Sequence, residues 1–285
     1  MMATLTFLGS GTSMGVPTLG CECAVCRSAV APHGDPRNRR TRPSVLIEFD
    51  GHAIVIDTGP DFHAQALSAG ITRLDAVFYT HSHADHLLGM DDLRPLSFKN
   101  AQGLPLFADA HTAAALRRVF DYTFRVVDRY PTSARVHIHE LSTEPGAEVE
   151  LFGVHFQRVP VIHGRETITG YRFGSAAYLT DMSDLSDESL ALLQGLDVLI
   201  LDALRPNPHP SHSHLEKSIR YVERLRPRRA FFTHMSHELD HATTEAQLPE
   251  HIRLAYDGLK LAFDIAPKEL PPEPEPKPEP EPGQP

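Results

Sequence analysis

The chain has 285 residues, 41% of them hydrophobic, and a formal net charge of −10 at pH 7. That length suits one large domain or two modest ones with a sizeable core, and the acidic balance argues against a broadly basic nucleic-acid surface. No stretch approaches the roughly 20 apolar residues of a membrane span, and the N-terminus lacks the basic and long apolar regions of a signal peptide, so a cytoplasmic protein is expected.

Residues 4–8 read as a first strand, followed by the glycine-rich Gly9-Ser10-Gly11-Thr12-Ser13-Met14-Gly15. A dinucleotide site at such a turn needs a helix N-terminus to hold the pyrophosphate. Val16-Pro17-Thr18-Leu19-Gly20 offers none, and a loop lining an active-site floor is the better reading. All the cysteines, Cys21, Cys23 and Cys26, come next. An odd, clustered set suits a metal site in a reducing compartment better than a disulfide framework. The arginines of residues 35–42 fit either a solvated loop or contact with an anion.

Residues 44–49 and 52–57 form a hairpin through Asp50-Gly51, a strong turn signal. Residues 62–69 read as a short helix stopped by Gly70. The apolar run 74–79 has the β-branched and aromatic content of a buried strand. It leads into Thr80-His81-Ser82-His83-Ala84-Asp85-His86, after which Leu87 to Met90 can open a helix. This cluster therefore sits at the carboxyl end of a strand, where α/β folds place ligands.

A strand over 104–108 and a helix over 110–118 follow. His137 and His139 alternate with Val136 and Ile138, so they read as the outer face of a strand and not as ligands. Residues 148–161 form a second hairpin through Phe152-Gly153. Three later strands end in His163, Asp181 and Asp202; a helix over 215–225 precedes a fourth, which ends in His234. Two halves of strands and helices predict two sheets face to face with helices outside, an α/β four-layer αβ/βα sandwich over residues 1–266. From 267 the composition turns to Pro and Glu, which predicts an extended, disordered tail over 267–285.

Imidazole and carboxylate suit a borderline cation such as zinc or manganese. A single hydrolytic zinc needs only about three protein ligands. Four candidates at one turn, with His163, Asp181 and His234 at later strand ends, suggest two divalent ions sharing a carboxylate. Cys21, Cys23 and Cys26 lack one tetrahedral ligand, which His237 can supply.

The His81-x-His83-x-Asp85-His86 order resembles the signature of the metallo-β-lactamase-fold hydrolases, and the resemblance covers roughly residues 4–265. It implies that His81, His83 and His163 hold one ion, that Asp85, His86 and His234 hold the other, and that Asp181 bridges them. Asp57 matches an earlier aspartate that supports the turn from behind. Gly15-Val16-Pro17 and the Cys21–Cys26 loop, together with Thr233-His234-Met235-Ser236-His237, resemble the branch that includes the phosphoribosyl cyclic phosphate phosphodiesterases of phosphonate breakdown. That likeness implies a structural Zn2+ on Cys21, Cys23, Cys26 and His237. His209-Pro210-Ser211-His212 matches the branch pattern before a helix and carries over His212 as the catalytic histidine, with Asp85 steering the nucleophile. His209 and His214 read as helix-capping or exposed, and His241 as structural with Asp240 capping its helix.

The expected activity is hydrolysis of a small, phosphorylated substrate, a phosphodiester that includes cyclic ones, with Zn2+ or Mn2+ in the active site. The alternatives are a tRNA 3′-end endonuclease, and thioester, lactone or β-lactam hydrolysis, since fold does not fix substrate. Between His163 and Asp181 only 17 residues intervene, which leaves no room for a long basic tRNA arm. A purely binding or structural role would waste an open ligand set. Related enzymes form dimers, which makes a homodimer a candidate assembly.

Overall fold

The structure, a computed structural model, describes residues 1–266; the expected Pro/Glu tail lies outside the described residues. The strands in chain order are β1 (Met2–Gly9), β2 (Ser44–Phe49), β3 (His52–Ile56), β4 (Ala76–Phe78), β5 (Leu104–Asp109), β6 (Val136–Leu141) and β7 (Glu148–Leu151). They continue with β8 (Val154–His163), β9 (Glu166–Phe173), β10 (Ala176–Leu179), β11 (Val198–Asp202), β12 (Arg229–Thr233), β13 (Ile252–Leu254) and β14 (Lys260–Asp264). They make two seven-stranded sheets, ordered β14-β1-β2-β3-β4-β5-β6 and β13-β12-β11-β10-β9-β8-β7.

Period-two patterning decides which face each side chain takes. Val45, Ile47 and Phe49 of β2 and Val198 and Ile200 of β11 enter the core between the sheets. Leu46 turns outward onto the helical layer with Phe62 and Leu116, and Leu199 and Leu201 do the same on the other side with Val222 and Leu225. Both sheets are therefore apolar on both faces, and the four-layer αβ/βα sandwich holds. In each sheet the central pairs, β3-β4-β5 and β10-β11-β12, run parallel. Their carboxyl ends lie together at one rim.

Several elements differ from expectation. Strands β9, β13 and β14 add to those the sequence predicts; in β9 the face opposite Thr167, Thr169, Tyr171 and Phe173 carries Glu166, Gly170 and Arg172, residues that weaken the strand signal. The helix expected from Leu87 instead spans Ala84–Leu87, with His83 at its N-cap position, so Asp85 and His86 lie inside it. Main-chain bonds explain the earlier start: Thr58 N–H donates to the His86 carbonyl at 2.8 Å, and Gly89 N–H to the Thr58 carbonyl at 2.8 Å.

This lacing needs glycine. A Cβ on Gly59 would stand 2.1 Å from the Asp85 carbonyl oxygen, and backbone cannot retreat as a flexible side chain can. Gly59→Ala is expected to destabilise the fold by about 1–3 kcal/mol, at roughly 2–4 °C of Tm per kcal/mol. A thermal melt checks this, and an unchanged Tm would contradict the crossing.

Candidate metal centre

The site is assembled at the shared rim by residues at the carboxyl ends of strands, which pair in parallel except for β8. Asp57 follows β3, the hexad follows β4, His163 ends β8, Asp181 lies two residues past β10, Asp202 ends β11 and His234 follows β12. Asp57, Asp181 and His234 have φ of 65°, 55° and 57°. The left-handed region costs an L-residue roughly 1–2 kcal/mol. Such strain persists where surrounding structure over-determines it, and it gathers at functional sites.

Two groups of ligand atoms converge. One is His81, His83, His163 and Asp181; the other is Asp85, His86, Asp181 and His234. Asp181 belongs to both. Within the second group His86 Nε2 lies 3.2 Å from Asp85 Oδ2 and 3.1 Å from Asp181 Oδ2, and His234 Nε2 lies 3.2 Å from Asp181 Oδ1. Asp85 Oδ2, His86 Nε2 and His234 Nε2 are nonetheless buried without a hydrogen bond of good geometry. Lone pairs that crowd together and satisfy no donor are the pattern a cation between them resolves.

The other ring nitrogens are pinned. His86 Nδ1–H donates to Asp57 Oδ2 at 2.7 Å. Asp57 also accepts the Thr80 N–H on Oδ1 and the Thr80 hydroxyl on Oδ2, both at 2.8 Å. The Thr80 hydroxyl oxygen in turn accepts His81 Nδ1–H at 3.0 Å, and the Ser211 carbonyl accepts His163 Nδ1–H at 2.8 Å. Each of these bonds fixes a tautomer that leaves Nε2 bare for the site. Thr80 is thus a support that the motif alone did not reveal. Thr80→Val is expected to weaken metal binding by about 10–100-fold, measured by competition with a chromogenic chelator; affinity equal to wild type would remove this role.

The electrostatics point the same way. Burial alone would raise Asp181, but the charge of His234 and His86 outweighs it and holds the carboxyl well below the usual range. Asp85 is lowered likewise, against burial, by His86 and His234. Burial opposes charge on His86 too, yet Asp181, Asp85 and Asp57 lift it well above an ordinary imidazole, and His234 rises to about 9 through Asp181 and Asp85. The carboxylates demand positive charge at this spot, and either protons or cations satisfy it. By contrast burial keeps His81 and His163 low, and so neutral.

His212 stands beside the cluster. Its ring stacks on His234 at 4.7 Å between centroids and lies 4.8 Å from that of His163. Its Nδ1 is 2.8 Å from Asp202 Oδ2. A cavity of about 380 Å³ opens next to it, lined by Gly164, Pro208, His209, His214 and Lys217 among others. His209 and His214 therefore face this cavity; His214 takes an N-cap position without a side-chain cap bond, so the capping reading does not hold for it.

At the N-terminal loop, Cys21 Sγ, Cys23 Sγ and Cys26 Sγ lie 3.1, 3.4 and 3.4 Å from His237 Nδ1. The Cys26 N–H holds the Cys23 thiol down at about 6, while burial pushes Cys26 up to about 11. Of the nearby arginines, Arg37, Arg40 and Arg42 follow neither sequence reading. Arg40 is buried and donates to the carbonyls of Ser236 (2.9 Å) and Leu239 (2.8 Å), while Arg37 pairs with Asp35 and Arg42 with Asp61. They tie loops together. His241 is buried at the start of its short helix, with Asp240 capping Thr243 N–H at 3.0 Å, as expected. His137 and His139 are exposed on β6 and belong to none of the ligand groups.

A family model described as "Beta-lactamase superfamily domain" matches residues 52–235. The chain belongs to the β-lactamase superfamily. Its fold is that of the metallo-β-lactamase hydrolases. The crystal structure of a diphosphatase from the PhnP family matches with a TM-score of 0.85 and 52% identity, over 93% of this chain and 99% of that one. Human tRNase Z, short form, shares the fold at a TM-score of 0.63 and 18% identity, over 92% of this chain and 99% of that one. An octanoyltransferase of Porphyromonas gingivalis is 38% identical over 260 residues, which are 90% of this chain and 51% of that protein. A ribonuclease Z of Methanococcus maripaludis is 25% identical over 134 residues, 45% of this chain and 42% of that protein. The chain spans about half the length of these curated relatives.

Within the superfamily fold, every metal-ligand candidate read from the sequence falls in one of three ligand groups: the two that share Asp181, and the thiolate group with His237. A further group, Asp202, His212 and His234, was not read from the sequence. Its signal was available, since Asp202 ends a strand at the same rim as Asp181. Among the described residues, no helix is long and apolar enough to cross a membrane.

Proposed function

We propose that this chain is a dinuclear-metal phosphodiesterase acting on small phosphodiesters, cyclic ones included. The observation that carries this reading is the pair of ligand groups joined by Asp181, with an imidazole, His212, set beside them. His81, His83 and His163 would hold one divalent ion and Asp85, His86 and His234 the other, with Asp181 on both. When bound, such ions supply charge stabilisation for phosphoryl oxygens and acidify water at neutral pH. Asp85 would orient the attacking water. His212, through Nε2, would give a proton to the leaving oxygen. The cavity beside His212 has room for the leaving group of a small substrate. Cys21, Cys23, Cys26 and His237 would hold a closed structural zinc, and their thiols suit a reducing, cytoplasmic setting.

Two relatives refine the test. The diphosphatase at 52% identity adds diphosphates to the substrates worth trying. The ribonuclease Z likeness keeps precursor tRNA in view, although the 17 residues between His163 and Asp181 are spent on β9 and β10. Protein loaded with zinc or manganese should be offered cyclic phosphates, bis(4-nitrophenyl) phosphate, diphosphates, precursor tRNA, thioesters and lactones. Turnover of the small phosphoesters is expected. Turnover of lactones or thioesters alone would sink this reading. His212→Ala is expected to lower kcat by about 10²–10⁴-fold, and retained activity would remove His212 from the mechanism.

A further inference from the structure

We infer that the Asp184–Lys217 pair sets the substrate class of this site: the leaving alcohol is uncharged, and one that carries a phosphate of its own is turned away. This rests on the function proposed above, which puts the leaving group in the cavity of about 380 Å³ beside His212. Among the described residues, the acidic and basic side chains that line this cavity are Asp184 and Lys217; the rest of its wall is glycine, serine, isoleucine, proline and histidine.

These two charges answer each other. Lys217 Nζ lies 3.0 Å from Asp184 Oδ2 and donates to the Ser183 carbonyl at 2.6 Å. The carboxylate is held in place as well. Its Oδ1 accepts the Tyr221 hydroxyl and, at 2.9 Å, the Leu185 N–H, while the main chain of Asp184 bridges to Ile162 in β8. Burial alone would raise the Asp184 carboxyl, but Tyr221 and Lys217 hold it below the usual range. The cation on the neighbouring loop, Arg205, is engaged too: it pairs with Glu238 at 3.6 Å and donates to the carbonyls of Asn207 and Pro208.

A phosphate entering the cavity would therefore meet a carboxylate fixed in the wall and a lysine already committed to it. An anion leaving water needs a cation free to pair with it. A like charge in the wall selects against such a substrate. A neutral alcohol meets something different. His209 Nδ1 accepts the Ser211 N–H at 3.3 Å, which leaves the ring proton on Nε2. Burial lowers both His209 and His214, so each ring is a neutral donor and acceptor. Pro208 and Pro210 flank His209 with apolar surface. A hydroxylated ring suits that wall.

The test uses two methyl aryl phosphates and the full chain loaded with zinc or manganese. One releases 4-(hydroxymethyl)phenol, and the other releases the same phenol phosphorylated on its hydroxymethyl group. The scissile ester is thus matched and the charge of the leaving group differs. Wild type is expected to favour the uncharged one by about tenfold or more in kcat/KM. Asp184→Asn releases Lys217 and should shrink that preference by about tenfold; Lys217→Gln leaves Asp184 alone and should widen it. Each ratio is taken within one preparation, so a variant that is partly unfolded or short of metal still reports its preference. Equal turnover of the two esters by wild type, or a preference for the phosphorylated one, would overturn this inference and leave the phosphodiesterase reading intact. So would a ratio in Asp184→Asn equal to that of wild type. If wild type hydrolyses neither ester, the proposed function has failed and this inference with it.

Discussion

Asp181→Asn is expected to cut phosphodiester hydrolysis by at least about 10²–10³-fold, the scale on which single charge-stabilising groups act. Asp181 is the member common to both ligand groups, so its loss weakens two cation sites at once. Asparagine is the informative replacement. It tolerates the left-handed backbone that Asp181 adopts at φ 55°, and it keeps the shape of the side chain. What it removes is the charge that holds His86 and His234 in register. The metal content of the active site should fall with the activity, while the metal-free variant should melt close to the metal-free wild type. Activity within tenfold of wild type at full metal content would mean that Asp181 does not join the two groups. Elemental analysis beside kcat/KM on one chromogenic diester separates these outcomes.

That the sequence exposes Asp181 at all is a matter of strand ends. His163, Asp181 and His234 are far apart in the chain, yet each follows an apolar run that reads as a buried strand. Parallel strands of one sheet bring their carboxyl ends to one rim. The hexad supplies four ligands by itself, so three more at that rim complete two sites. The supports behind the ligands are harder to see. Thr80 is an ordinary threonine until the parallel pairing of β3 with β4 brings Asp57 within 2.8 Å of it. The Ser211 carbonyl that orients His163 is a main-chain atom and leaves no trace in the sequence. Asp202 looked like one more strand end because its partner, ten residues on, is reached only by a loop whose path the sequence does not encode locally.

The glycines and arginines divide in the same way. Asp50-Gly51 announces its hairpin by turn chemistry alone. Gly59 announces nothing, because its necessity comes from the Asp85 carbonyl crossing over it. Arg40 carries the same composition as its exposed neighbour Arg39, but the fold buries it and spends its guanidinium on two carbonyls of the segment after His234. By sequence the arginines fit a solvated loop or contact with an anion equally. The hydrogen-bond geometry assigns this one to holding Ser236 and Leu239, and so the chain between His234 and His241, in place.

That same segment is where the thiolate cluster is expected to show its effect. His237 lies three residues after His234, and Met235 between them exchanges main-chain bonds with the glycine-rich loop: its N–H donates to the Ser10 carbonyl at 3.0 Å and its carbonyl accepts from Thr12 at 3.1 Å. A zinc on Cys21, Cys23, Cys26 and His237 would clamp both loops together. If that ion is present at about 1,000 times its dissociation constant, binding stabilises the fold by about 4 kcal/mol. At roughly 2–4 °C per kcal/mol, Cys21→Ser or His237→Ala should lower Tm by ~8–16 °C and leave one metal fewer per chain. Activity should fall less than in Asp181→Asn, because the ligands of the active site remain and lose only the clamp behind His234. Calorimetry with and without chelator reads the effect, since the variant should no longer respond to removal of that ion. A Tm that drops with the metal count unchanged would mean the thiols pack without an ion. A metal lost with no change in Tm would mean the cluster binds without holding the loops, and the His234 strand end would then owe its position to β12, Arg40 and the main-chain bonds of Met235.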